Sequence, residues 1–204
     1  MPNVSLRHPY IKSTQDFAAA LLLTCIAAIA GAISISHAQG DVQVAFREGL
    51  NRVAKSLPTE WNFSTVSAAV NREPKQGEQH VEIVVAYERS DIARIYGAVK
   101  LINQMIREGR TAESDFARVP SEYKGMPASH GSGFIDSIGK IMGYAAAETR
   151  AQASAAWRYR IVVQDQSRRT VGSLIVSHAD IMDLVNGRIA PSELARVARI
   201  YNFN

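Results

Sequence analysis

Twenty consecutive residues near the start of the chain, Phe17 to Ser36 (FAAALLLTCIAAIAGAISIS), carry no charge. As a helix such a run spans about 30 Å, enough for the hydrocarbon core of a bilayer. Its flanks suit export as well. Arg7 and Lys12 precede it, and Ser36-His37-Ala38 puts small residues third-last and last before Gln39, the pattern that a signal peptidase cuts. Residues 1–38 are therefore expected to be a cleaved signal peptide or a retained inner-membrane anchor, with a buried soluble helix as the remaining reading. On the first two, residues 39–204 fold outside the cytoplasm, in a periplasmic or equivalent space. Small residues recur at Ala20, Thr24, Ala28, Ala32 and Ser36. Such a stripe lets membrane helices approach closely, although alanine-rich composition alone produces one too.

The single cysteine, Cys25, lies inside this run. Thr24 departs from the small residue that lipid attachment wants before the cysteine, and apolar residues continue past it, so lipidation is not expected. The remaining 166 residues, Gln39–Asn204, hold no cysteine. Disulfide and thiolate chemistry are then closed to them, and an ordinary hydrophobic core must hold them together. That length suits one domain or two small ones. Without Arg7, Lys12 and Asp16 the formal charge of +4 becomes +3. This mild excess favours anionic surfaces such as lipid headgroups and is too small to imply nucleic acid by itself.

Periodicity predicts a helix over 42–57, with Val42, Phe46, Leu50, Val53 and Leu57 on one face and Pro58 as its stop. Residues 63–72 and 80–87 read as two strands joined by the turn material Glu73-Pro-Lys-Gln-Gly. Ser90-Asp91 then caps a helix carrying Ile92, Ile95, Tyr96, Val99, Ile102 and Ile106, with Gly109 at its end. Gly97 inside it predicts a close approach by a neighbouring backbone. Residues 110–133 read as a long connecting loop, with a turn of helix near 115–119. A helix is expected from Phe134 to about Ala156, then strands over 157–165 and 170–177 around a turn at 166–169. Asp180 and Gly187 bound a short helix, and Pro191 opens a last one containing Leu194, Val197 and Tyr201.

Each half repeats the order helix, strand, turn, strand, helix, with Asp91-Ile-Ala-Arg-Ile and Asp180-Ile-Met-Asp-Leu at matching junctions. The expected fold is α+β: two β-hairpins pairing into about four antiparallel strands, with four to five helices over one face. No family motif is recognisable.

Three places carry residues that chemistry could use. Ser129-His-Gly-Ser-Gly133 leads into a helix start, where backbone N–H groups can hold an anion, and Ser132 with His130 as its base could form a nucleophile. There is no G-x-S-x-G elbow, and neighbouring residues seldom reach triad geometry, so these two are weak catalytic candidates and a helix cap is the plainer reading. Along the long helix, Gly139, Gly143, Ala147, Ala151 and Ala155 recur every fourth residue. Such a shallow groove admits a second helix, from the same domain or from another subunit. Arg158, Arg160, Arg168 and Arg169 form a basic hairpin that could meet anionic lipid, an acidic protein or, less readily, nucleic acid through Trp157 or Tyr159. Alternation places those aromatics in the core and the arginines in solvent instead. His80, His130 and His178 lie about fifty residues apart without the i, i+4 pairing of a helical metal motif, so neither a metal nor a cofactor is expected.

Taken together, these features predict a non-enzymatic envelope protein, exported or membrane-anchored, that binds other envelope proteins or itself through the Gly139–Ala155 helix. A secretion, conjugation or pilus apparatus is a guess from class. The alternatives are an exported hydrolase using His130 and Ser132, or a binder of anionic lipid or nucleic acid through the basic hairpin.

Overall fold

The computed structural model describes residues 43–76, 78–110, 114 and 119–202, apart from the side chains of Pro191, Ser192, Ala195 and Asn202. The expectations for Phe17–Ser36, Cys25 and Val42, and for a helical turn over 115–118, fall outside those residues. Gln43–Asn204 forms one compact unit.

The described part of helix α1 covers 43–56, and Phe46, Leu50, Ala54 and Leu57 bury its inward face. Strands β1 (Phe63–Val70) and β2 (Val81–Tyr87) follow as an antiparallel hairpin, with a bulge between Thr65 and Ser67. Helix α2 (Ile92–Arg107) ends on Gly109 at φ +69°, a left-handed cap that glycine adopts without strain. Helix α3 (Ala128–Thr149) leads to a second antiparallel hairpin, β3 (Arg158–Gln164) and β4 (Thr170–Ser177). Short helices α4 (His178–Val185) and α5 (Pro191–Val197) then precede strand β5 (Arg199–Asn202). The architecture is α+β, with a five-stranded mixed sheet in sequential order, β1 to β5.

Three features differ from the sequence-based expectation. The two hairpins join in parallel, with β2 beside β3 from Val81↔Tyr159 to Ala86↔Gln164. The path between them explains why. Helices α2 and α3 begin side by side, where Asp91 and His130 lie 3.7 Å apart, so the chain leaves α2 at one end and re-enters a helix at the end where α2 started. Helix α3 then runs the same way as α2 and delivers β3 parallel to β2, the crossover that parallel strands require. Of the expected loop, the described stretch 119–127 lies at this end. Arg94 ties it to α2 by donating to the carbonyls of Glu122 and Lys124. The neighbour at Gly97 is the Tyr123 side chain rather than a backbone, since a Cβ there would stand 2.6 Å from the Tyr123 hydroxyl.

Second, α3 begins at Ala128 and ends at Thr149, earlier at both ends than the expected 134–156, so residues 128–133 are helix and not loop. Gly131 and Gly133 lower helix propensity, but Gly133 lets the Trp61 indole lie where a Cβ would be 2.4 Å from its Nε1. That packing outweighs local propensity. The alanines past Thr149 turn instead of extending the helix, because the chain must enter β3 at Arg158.

Third, Tyr201 lies on a strand and not on the last helix. Tyr96 reaches across Gly172, and its hydroxyl is within hydrogen-bond distance of the carbonyls of Ser173 (2.9 Å) and Tyr201 (2.6 Å). Arg107 donates to the carbonyl of Ala198 at 2.7 Å. Helix α2 thereby draws the chain end onto β4 as β5.

The helices and one sheet face share the core, which includes Val81, Ile83, Val85, Tyr87, Tyr159, Ile161, Val163, Leu174 and Val176. Two buried tyrosines fasten sheet to α3. Ser137 donates to the Phe134 carbonyl at 2.7 Å, so Tyr87 donates to Ser137 at 2.6 Å. Thr149 likewise donates to the Ala145 carbonyl, so the Tyr159 hydroxyl donates to Thr149 at 2.7 Å and accepts from His178 Nδ1 at 2.9 Å. Burial pushes both tyrosine hydroxyls upward in pKa.

Candidate functional site

The opposite sheet face is assembled by register alone. One row across the strands is Glu82–Arg160–Ile175–Arg199, and the next is Val84–Val162–Ser173–Tyr201. Residues paired across strands point to the same side, and this side is the one away from the described helices. Arg160 pairs with Glu82 at 3.2 Å. Arg158, two residues before it, is exposed. Its Nη1 donates to the carbonyls of Ala156 and Trp157, both at 3.2 Å. These acceptors are neutral, so they hold the guanidinium without cancelling its charge.

The four arginines of the hairpin do not form one patch. Arg158 and Arg160 lie on this face, whereas Arg168 and Arg169 occupy the turn at the far end of the same strands. Asp165 builds that turn. Its Oδ1 accepts from the backbone N–H of Ser167 (2.8 Å) and Arg169 (3.0 Å), and its Oδ2 accepts from the Arg169 side chain. Arg168 takes the left-handed conformation at φ 63°. The residue that joins Arg158 and Arg160 is Arg199, which sequence reading missed. Its helical surroundings hid the strand, and nothing in Ala198-Arg-Ile-Tyr-Asn announces its face. Trp157 and Tyr159, which alternation places in the core, are 5% and 1% exposed and cannot stack on bases.

Arg158 and Arg199 flank an open cleft of about 490 Å³, shared with Gln79, Ser177, Asp180 and Tyr201. It lies where β2, β3 and β5 start and β4 ends. Behind it Trp157 stacks on His80 with ring centroids 5.0 Å apart, and His80 Nδ1 accepts the Arg158 backbone N–H at 3.3 Å. Burial, and then the Arg158 charge, lower the His80 pKa below its ordinary value. Burial does the same to His178.

At the other end of the sheet, a groove of about 370 Å³ is lined by Leu57, Glu60, Trp61, Ser129, Ser132 and Asp136. His130 faces Asp91 at 3.7 Å, beyond hydrogen-bond distance. Asp91 is already held by two bonds from Arg89, at 2.8 and 2.9 Å, and these keep its carboxyl below the usual carboxylate range. Ser132 donates to the Ser129 carbonyl at 3.2 Å. Positions two apart on a helix point about 200° away from each other, so Ser132 and His130 look out on different sides of α3. Among the described residues no three His, Cys, Asp or Glu side chains group as metal ligands.

The row of small residues is occupied from within. A Cβ on Gly139 would stand 3.4 Å from Leu184 and 3.9 Å from Leu194, and one on Gly143 would stand 3.5 Å from Val185. Helices α4 and α5 fill the groove there, Ala147 is exposed, and Ala151 and Ala155 lie beyond the helix end. Among the described residues no helix is long and apolar enough to cross a membrane. No family model, curated protein or solved structure matches this chain.

Proposed function

We propose that this protein is a non-enzymatic, exported or membrane-anchored envelope module that binds a protein partner within a larger assembly. The observation that carries this reading is the sheet face turned away from the described helices, where Val162 and Ser173 are buried and Val84 and Ile175 half-buried. It presents Val84, Ile175 and Tyr201 among Glu82, Arg158, Arg160 and Arg199, a mixed apolar and basic surface of the kind partner proteins cover. The uncharged segment Phe17–Ser36 supplies the address. Self-association along α3 is left to Ala147, because Gly139 and Gly143 already pack on α4 and α5. The test is mass measurement of the protein recovered from membrane and soluble envelope fractions after crosslinking. The reading expects the chain in one of those fractions, intact or shortened after Ala38, with a crosslinked partner that is lost when Val84 and Ile175 become aspartate. Recovery of intact chain from the cytoplasm alone would sink it.

The hydrolase reading draws on one observation, the approach of Asp91 to His130 at 3.7 Å. It predicts activity that both Ser132→Ala and His130→Ala abolish without change in stability. The binding reading predicts that both variants keep partner capture.

A further inference from the structure

We propose that the cleft between Arg158 and Arg199 binds a phosphate group, carried either by a soluble phosphorylated molecule or by an anionic phospholipid headgroup. This inference does not depend on the export reading. Arg158 aligns with Ser177 on β4, and Arg199 aligns with Ile175 two residues earlier. Across two strand spacings the two Cα atoms therefore stand about 12 Å apart, close enough for two long side chains to converge on one group between them. Among the described residues neither guanidinium meets a carboxylate: Arg158 donates to the carbonyls of Ala155, Ala156 and Trp157, and Arg199 is exposed without a partner. Two forks of N–H donors suit a tetrahedral oxyanion, which offers oxygens on every side and up to two negative charges, better than they suit a single planar carboxylate.

The rest of the lining agrees. Gln79 and Ser177 add polar groups, and Tyr201, 43% exposed, gives an apolar wall with a hydroxyl. Asp180 is the one acid among the described lining residues. It accepts from the Ser177 hydroxyl at the start of α4, so part of its charge is met locally, and the remainder opposes an anion. Its presence gives the proposal a signature that general surface basicity lacks: removing the Asp180 charge should tighten binding.

The experiment uses the purified full-length chain. Inorganic pyrophosphate is titrated by calorimetry. In parallel, the chain is floated with vesicles of phosphatidylcholine alone or of phosphatidylcholine with phosphatidylglycerol. Arg158→Gln and Arg199→Gln should each weaken binding about tenfold or more, the loss of a charge-assisted contact, and Asp180→Asn should strengthen it. Lys140→Gln, on the far side of α3 and paired with Asp136, should change nothing. Saturable pyrophosphate binding with this pattern supports a soluble phosphorylated ligand. Absence of that binding, together with an arginine-dependent excess of flotation on phosphatidylglycerol, supports a headgroup. Binding that both arginine variants retain, or binding in neither arm, overturns the site. Melting temperatures report folding of every variant. Arg199→Gln, on a short edge strand with an exposed side chain, carries the test alone should Arg158→Gln fail to fold.

Discussion

The two ends of the sheet hold nearly the same residue types in opposite arrangements. At one end Arg89 lies 4.5 Å over the Trp61 ring and grips Asp91 with two bonds, and its side chain is only 14% exposed. At the other, Trp157 stacks on His80 and leaves Arg158, with Arg199 two strands away, facing a cleft whose one described acid, Asp180, bonds the Ser177 hydroxyl and neither arginine. A cation clamped to a carboxylate and an aromatic ring contributes to the fold and has little left for a ligand. A cation propped on carbonyls contributes little to the fold and keeps its charge for one. The first end is therefore read as structural and the second as the binding end.

The largest expected effect tests how closed the first end is. Gly133→Leu must displace the Trp61 indole, and overpacking of this kind costs about 3 kcal/mol at the upper end of its usual range. Thermal unfolding and tryptophan fluorescence would both register it. Gly143→Leu is the control within the same helix. Its new side chain first meets Val185, which is 52% exposed and can turn aside, so about 1 kcal/mol is expected. Equal losses would mean that Trp61 is not held as described.

The arginines separate the ends next. Arg89→Ala removes both the ring contact and the bonds to Asp91, and should cost about 2 kcal/mol in denaturant unfolding. Arg199→Ala should stay within about 0.5 kcal/mol. A comparable loss at both positions would erase the distinction between clamped and free cations.

Each end also has a buried tyrosine clasp, and these should differ modestly. Tyr159→Phe leaves Thr149 without its donor and His178 Nδ1 without its acceptor, for about 1.5 kcal/mol. Tyr87→Phe leaves Ser137 still bonded to the Phe134 carbonyl, for about 1 kcal/mol. The reverse order would mean that the His178 link is not formed in solution.

The smallest effect is pH dependence. His80 and His178 have folded pKa values below the ordinary histidine value, through burial and, for His80, the Arg158 charge. Below about pH 6.5 the unfolded chain binds more protons at these sites than the folded one. Their contribution is therefore complete above that pH and is lost as pH falls through the window beneath it. At the clamped end Asp91 is also lowered, by the Arg89 bonds, but its contribution is complete above about pH 3.9 and is lost only in stronger acid. Melting curves between pH 8 and 5 should thus decline slightly, and His178→Gln with His80→Gln should flatten them. An unchanged slope in that double variant would remove the histidines from the account.

Local pattern in the sequence determined both hairpins, the whole of β4, the extent of α2 and the stops at Gly109 and Gly187, both of which sit at φ +69°. These features depend on the alternation of neighbours and on glycine's freedom at positive φ, information that a short stretch holds by itself. The parallel joining of the hairpins was decided elsewhere, by α2 and α3 starting at the same end of the sheet. Strand β5 exists because Tyr96 and Arg107 hold its backbone, contacts that span about a hundred residues of sequence and leave no periodicity in Arg199-Ile-Tyr-Asn. Helix α3 runs through Gly133 because Trp61 packs where a side chain there would be. The basic patch split for the same reason. Spacing in sequence put Arg158 beside Arg168 and Arg169, whereas strand length carried those two to the far turn and strand pairing brought Arg199 in their place. Periodicity shows which side of an element faces inward. Which elements lie beside one another, and so which charges share a cleft, depends on contacts distant in sequence, and only the tertiary structure decided those.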